Sequence, residues 1–501
     1  MSSNIGHFIA GQVYSESTSR TGPVYNPSTG EEIARCAYGT RSTVDHAVAV
    51  ATQAGQRWGR ASHATRQAVI FKLRELMIAN MDLLAEVIGR EHGKTILDAK
   101  GELGRAIEGI EFACNAPHVT KGEYANNVGG DIDVFSVRRP IGVVGCITPF
   151  NFPIMVPAVM MTMAVAVGNS VVWKPSEKVP SAALEFARLW KEAGLPDGVF
   201  NVVQGDKEVV DAILEHPGIA GVSFVGSTGV GEYVYQKGTS HNKRVAAFTG
   251  GKNHMVVMPD ADLEAAASAF VSAGYGSASQ RCMAVSLLLP VGTETAERLR
   301  EILIPKILAL KVGPYNDAAA DFGAVVSRES KASVERAIAR CVEEGGDIVI
   351  DGRRIEVAGH PNGYYLGPTL FDHVTTDMQL YKEEVFGPVR GIMRPATFDE
   401  AIAITNQHEY GNGSVIFTRD GKSAHRFMME IESGMIGVNV PVPLPSGFFN
   451  FGGLRRSKFG EGHLYGPDAA RFYTKFKTVS QRWPEPDEQA LPVSLAFNPS
   501  A

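Results

Sequence analysis

One cysteine in the stretch SASQRCMAV, residues 277–285, follows directly on an arginine. A lone cysteine is ordinarily an inert, small core residue. Here Gly276, Ser277 and Ser279 make the flank small and polar, and Arg281 places positive charge beside the sulfur. Nearby positive charge favours the thiolate, the nucleophilic form. Cys282 is therefore a candidate nucleophile. A second stretch, PFNFP (149–153), holds Asn151 between two prolines. That is a rigid setting for an amide aimed at a developing oxyanion. The plain alternative is a turn asparagine.

Two further stretches have the chemistry of a nucleotide site. WKPSE (173–177) offers Lys174 and Glu177 to ribose hydroxyls; an acidic group there accepts from the 2′-hydroxyl and repels a 2′-phosphate, which favours NAD over NADP. FVGSTGVG (224–231) leads from an apolar run into a helical pattern, and its glycines let backbone approach a phosphate at a helix N-terminus. Its spacing is not GxGxxG and it lacks a P-loop lysine. Alone, it also reads as an ordinary glycine-rich turn, and the lysine and glutamate as a solvated pair.

The elements that must hold these residues follow from periodicity. Up to about residue 120 the pattern is mostly helical, with Ile70, Leu73, Met77, Leu84, Val87 and Ile88 at helical spacing. Residues 123–140 alternate and read as an extended ribbon. From 141 short apolar runs (IGVVGCI, SVVW, GVFNVV, GVSFV) alternate with helical segments, one of them opening at Ser181 as its cap. Strands alternating with helices predict a parallel, doubly wound sheet. A second α/β region begins near 250, with strands expected at 254–258, 346–350, 365–371, 389–393 and 413–417. Residues 471–483 alternate again, Phe472 included. Beyond Pro484 the tail is rich in Pro, Glu and Ala and is expected to be loosely held.

Composition sets the bounds. The chain has 501 residues, 44% hydrophobic and 20% charged, as in an ordinary globular protein of two or three domains. With 54 acidic against 48 basic residues, the net charge of −6 gives no support for nucleic-acid binding. Five widely spaced cysteines without a CxxC pair argue against a disulfide framework or a metal site and for reduced thiols. No signal peptide is evident and the apolar run 154–167 is too short for a membrane span. A cytoplasmic location is expected.

Taken in order, PFNFP, VVWKPSE, FVGSTGVG, GGK (250–252), SQRCMA and EEVFGPV (383–389) resemble the aldehyde dehydrogenase superfamily over nearly the whole chain. The resemblance implies an α/β aldehyde dehydrogenase-like fold: two doubly wound domains, 1–122 with 141–249 for NAD and 250–440 for catalysis. A bridging oligomerisation ribbon would come from 123–140 and 465–490, in a homotetramer. It implies that Cys282 attacks the aldehyde and that Asn151 holds the oxyanion. Phe150, Lys174, Glu177, Gly226, Ser227, Glu384 and Phe386 would contact NAD.

One departure selects a branch. Hydrolytic members carry a glutamate two positions before the Gly-Gly; AAFTGGKNH (246–254) has Phe248 there, which cannot act as a general base. The acyl-enzyme should then await a thiol such as coenzyme A. This matches the CoA-acylating branch acting on methylmalonate and malonate semialdehyde, as do GKNHMVVMPDAD (251–262) and GVNVPVPLP (437–445). That branch implies Arg105 and Arg281 as carboxylate anchors, a role suited to the planar guanidinium. The competing reading is a hydrolytic enzyme using another base, with Glu461 as the candidate. A third, a non-enzymatic binding protein, is opposed by the retained Cys282, Asn151 and Glu384.

Overall fold

The computed structural model describes residues 3–14 and 20–483. The Pro-rich tail and the end of the expected 465–490 segment lie outside the described residues. Apolar, β-branched runs form Val143–Ile147, Ser170–Lys174, Phe200–Val202, Ile219–Val225 and Arg244–Phe248. They pair in parallel, in the spatial order 244–248, 219–225, 143–147, 170–174, 200–202. Strands buried on both faces need such continuous apolar runs. Antiparallel strands extend both edges: Lys458–Phe459 beside Arg244–Phe248, and His7–Ile9 followed by Gln12–Tyr14 beside Phe200–Val202.

The strand order reverses between Val143–Ile147 and Ile219–Val225. In an open parallel sheet the loops after two such strands diverge and leave a crevice. Those loops carry Asn151 and the Gly226–Ser227 pair.

A seven-stranded sheet follows, in the order Asp347–Ile350, Thr369–Asp372, Val389–Ile392, Val285–Pro290, Asn253–Val257, Gly413–Phe417, Met435–Val438. Only its first pair is antiparallel. Gly250, Cys282 and Glu384 lie just before strands of this sheet. The site is thus built where the carboxyl edge of the first sheet meets the amino edge of the second.

Tyr124–Ala125, Asp133–Pro140 and Thr474–Gln481 form a separate antiparallel ribbon, with Tyr124 and Phe476 exposed.

The first part of the chain is mostly helical, as expected, with helices Arg41–Trp58, His63–Ala79, Met81–His92 and Ile96–Ala113, and it adds strands at Ser3–Ile5, His7–Ile9, Gln12–Tyr14, Thr21–Asn26 and Glu31–Ala37 that periodicity did not show. Three-residue strands are too short to show a period of two. Two expectations need correction. Ser181 is not a cap: the helix Pro180–Glu192 begins before it, and its N–H donates to the buried Glu91 carboxylate at 3.0 Å. Phe472 belongs to the short helix Pro467–Phe472, so the ribbon strand starts at Thr474.

Candidate active site

The crevice opens into a cavity of about 420 Å³. Seven of the eleven residues singled out from sequence line it: Phe150, Asn151, Gly226, Ser227, Cys282, Glu384 and Phe386. Lys174, Glu177, Arg105 and Arg281 do not.

Asn151 is buried, and its side-chain NH2 donates to the Gln280 carbonyl at 3.1 Å, which joins its loop to the cysteine loop. A second N–H of that amide remains for a ligand. The loop is fixed from below by an ion pair the sequence reading missed. Lys94 Nζ donates to the Asn151 carbonyl at 2.6 Å and to Glu102 Oε2 at 2.8 Å. Glu102 Oε1 accepts the Ile154 and Met155 N–H groups at 2.9 and 3.1 Å. Both side chains are essentially inaccessible. Phe150 meets Phe386 edge-on, ring centroids 5.9 Å apart.

Cys282 follows three consecutive non-glycine residues in the left-handed region, Ser277, Ala278 and Ser279, with φ of 56°, 50° and 61°. Such conformations cost on the order of 1–3 kcal/mol each and cluster at functional sites. Uncharged groups hold the cysteine itself: its carbonyl accepts Asn253 Nδ2 at 2.9 Å and Asn412 Nδ2 at 2.8 Å. The other four cysteines are buried, and Cys282 alone is partly accessible. Burial, then the Glu384 charge, pushes its thiol from 9.0 up to about 12; the Cys282 and Met283 amides and Arg281 oppose this without reversing it. The expected depression by Arg281 is therefore outweighed. That guanidinium is committed to Asp98, 183 positions away in sequence.

Burial raises Glu384 to about 7, against the pull of the Gly251 N–H, Lys252 and Arg390. Gly250 leaves room for the Glu384 carboxylate: a Cβ there would stand 2.7 Å from Glu384 Oε2 and 2.8 Å from Thr228 Oγ1 and would displace them. Ser227 is the N-cap of the helix Thr228–Ser240, whose amino end faces the cavity with the Ser227 hydroxyl making no cap bond. Lys174 ends its strand and bonds Glu177 at 2.8 Å. Burial works to raise the Glu177 carboxyl, but the Lys174 charge and hydrogen bond, with a backbone amide and Lys178, together outweigh it and hold the group low, ionised at neutral pH.

Arg105 bonds Glu108 at 2.6 Å and the Pro445 carbonyl at 3.3 Å. Asp98, Glu102 and Arg105 share one face of the helix Ile96–Ala113 by their spacing. One helix therefore braces the asparagine loop and the cysteine loop and presents Arg105. The signal in sequence was a row of charges on a helix face otherwise made of Ala99, Leu103 and Ala106.

Phe248 is buried, its ring 5.9 Å from Phe451 and 5.7 Å from Lys458 Nζ. Among the described residues, the carboxylates lining the cavity are Glu383 and Glu384. Glu461 is exposed and does not line it. No helix among the described residues is long and apolar enough to cross a membrane.

A profile of the aldehyde dehydrogenase family matches residues 14–479. A malonate-semialdehyde dehydrogenase of Pseudomonas aeruginosa is 48% identical over 479 residues, 96% of each chain. An acylating, mitochondrial methylmalonate-semialdehyde dehydrogenase of Arabidopsis thaliana is 41% identical over 99% of this chain and 81% of its own. A protein of Sinorhizobium meliloti 1021, assigned as a methylmalonate-semialdehyde dehydrogenase and solved with NAD, superposes with a TM-score of 0.96 at 45% identity over 97% of this chain and 99% of its own.

Proposed function

The chain belongs to the aldehyde dehydrogenase family, and from that premise we propose that it oxidises malonate or methylmalonate semialdehyde with NAD and coenzyme A. The products are acetyl-CoA or propanoyl-CoA, NADH and bicarbonate. NAD supplies the hydride acceptor when bound. The free amino end of Thr228–Ser240 and the ionised Glu177 suit its pyrophosphate and ribose.

Cys282, once deprotonated, adds to the aldehyde carbon. Asn151 Nδ2 and the Cys282 N–H stabilise the oxygen charge that develops. Loss of hydride leaves a thioester on Cys282. Arg105 and Arg281 each keep N–H donors beyond the carboxylate they already hold, so they can also grip the substrate carboxylate. That carboxylate lies β to the thioester carbonyl; loss of CO₂, which water converts to bicarbonate, gives an enolate held by the same donors, and uptake of a proton leaves the acyl thioester on Cys282. The thiol of coenzyme A then takes the acyl group. The ribbon Asp133–Pro140 with Thr474–Gln481, exposed at Phe476, supports assembly into a homotetramer.

The observation that carries the CoA-acylating reading is Phe248, packed in an aromatic setting where hydrolytic relatives hold a base. NADH formation from malonate semialdehyde is the test. Sustained turnover is expected only with CoA present, with an acyl-CoA product, and Phe248→Glu should add CoA-independent turnover. Sustained CoA-independent turnover by the wild type would overturn the reading.

A further inference from the structure

A second cavity, of about 170 Å³, lies away from the chemistry. Its lining includes Pro140 and Val167, which precede the strands Val143–Ile147 and Ser170–Lys174. It therefore sits at the amino edge of the first sheet, whereas Asn151 and Ser227 follow the carboxyl ends. Arg60, His63, Arg66, Arg138 and Arg139 line it, and no carboxylate does. Among the described residues, none of these four arginines makes an ion pair, although the chain carries six more acidic than basic side chains.

Two of the arginines have structural work. Arg66, buried, donates to the Ala166 and Ala61 carbonyls and so caps the helix Met155–Ala166. Arg138 donates to Thr474 Oγ1 at 3.2 Å and stacks 3.9 Å from the Phe476 ring centre. Among the described residues, Arg60 and Arg139 make no side-chain hydrogen bond, and both are exposed at the rim. The mutual repulsion registers on the titrating groups. Burial and then Arg139 lower Arg66, burial and then Arg66 lower His63, and Arg138 is lowered by burial and then by Arg471, against a smaller opposing pull from Glu123. The helix His63–Ala79 adds its amino end, with no acidic residue in its first turn.

Four guanidiniums held together without a counter-charge are costly unless an anion joins them. At roughly 30 Å³ per water, the space holds about five or six waters, which suits a tetrahedral oxyanion and excludes a nucleotide. We propose that this basic cavity at the amino edge of the first sheet binds a phosphate-sized oxyanion, as free phosphate or as the head of a small phosphate monoester.

Calorimetric titration of the whole protein with inorganic phosphate, and separately with methyl phosphate, at ionic strength held constant with chloride, tests this. Saturable binding at one site per chain is expected, unchanged in Cys282→Ala and unaffected by saturating NAD. Equal or tighter binding of methyl phosphate identifies an ester head; weaker binding identifies free phosphate. Arg60→Gln/Arg139→Gln should weaken binding roughly ten- to a hundredfold, with the melting temperature in chloride and NADH turnover kept. No saturable binding, binding unchanged in the double variant, or displacement of phosphate by NAD would each overturn the proposal.

Discussion

The two key residues that meet across the active-site cavity, Asn151 and Cys282, are held by different groups. The Asn151 loop rests on a buried charge pair, Lys94 with Glu102, which fixes one carbonyl and two amides. The Cys282 loop is tied to the same helix by the Arg281–Asp98 pair, but Cys282 itself is held by two neutral side-chain amides after a left-handed turn. The difference fits the tasks proposed for them. An oxyanion donor must already be in place when charge appears, and charge-assisted bonds in a dry core give stiffness. A resting thiol can remain neutral, and the uncharged groups around Cys282 do not draw it towards the thiolate.

The largest expected effect comes from breaking the charged support. Lys94→Met strands the Glu102 carboxylate in the core and should cost about 3–5 kcal/mol of stability by denaturant unfolding. Lys94→Met/Glu102→Leu should recover part of that stability without recovering kcat. A loss of under about 1 kcal/mol in the single variant would show the pair to be incidental. Removing the donor but leaving its support comes next. Asn151→Ala should lower kcat by about 10²–10³, roughly 2.7–4 kcal/mol, with unfolding little changed. An unchanged kcat would remove Asn151 from the oxyanion role. The smallest concerns the cysteine. With the thiol near 12, alkylation of Cys282 in the protein without NAD should rise about tenfold per pH unit from 7 to 10 without a plateau. The sign follows from a raised thiol, which stays protonated until the pH approaches the raised value. A plateau below pH 9 would mean that Arg281 does depress the thiol.

That Cys282 and Asn151 line one cavity could be read from short local patterns, the small polar flank of the one and the two prolines around the other. The parallel strands at 143–147 and 253–257 were equally legible as unbroken apolar runs. Arg281 shows where such reading stops. Adjacency in sequence suggested a charge acting on the thiol, but its partner Asp98 comes from a distant helix and takes up that charge. Lys94 and Glu102 were missed for the same reason: a buried charge on an apolar helix face is meaningful only once the PFNFP loop is seen above it. The strands Ser3–Ile5, His7–Ile9 and Gln12–Tyr14 escaped because they have three residues each and draw pairing from elsewhere, as Phe8 does opposite Val202, whereas the longer Thr21–Asn26 and Glu31–Ala37 pair with each other.

The antiparallel pairing of Lys458–Phe459 with Arg244–Phe248 has a consequence for biosynthesis. The outer edge of the first sheet, next to Phe248, has no covering strand until about 200 further residues have been made. At about 5–20 residues per second that is roughly 10–40 s during which a nascent chain presents an open strand edge. Ribosome-bound chains ending before Ser457 should therefore be the ones that holdase chaperones retain, and release should follow emergence of Lys458–Phe459 from the ribosome.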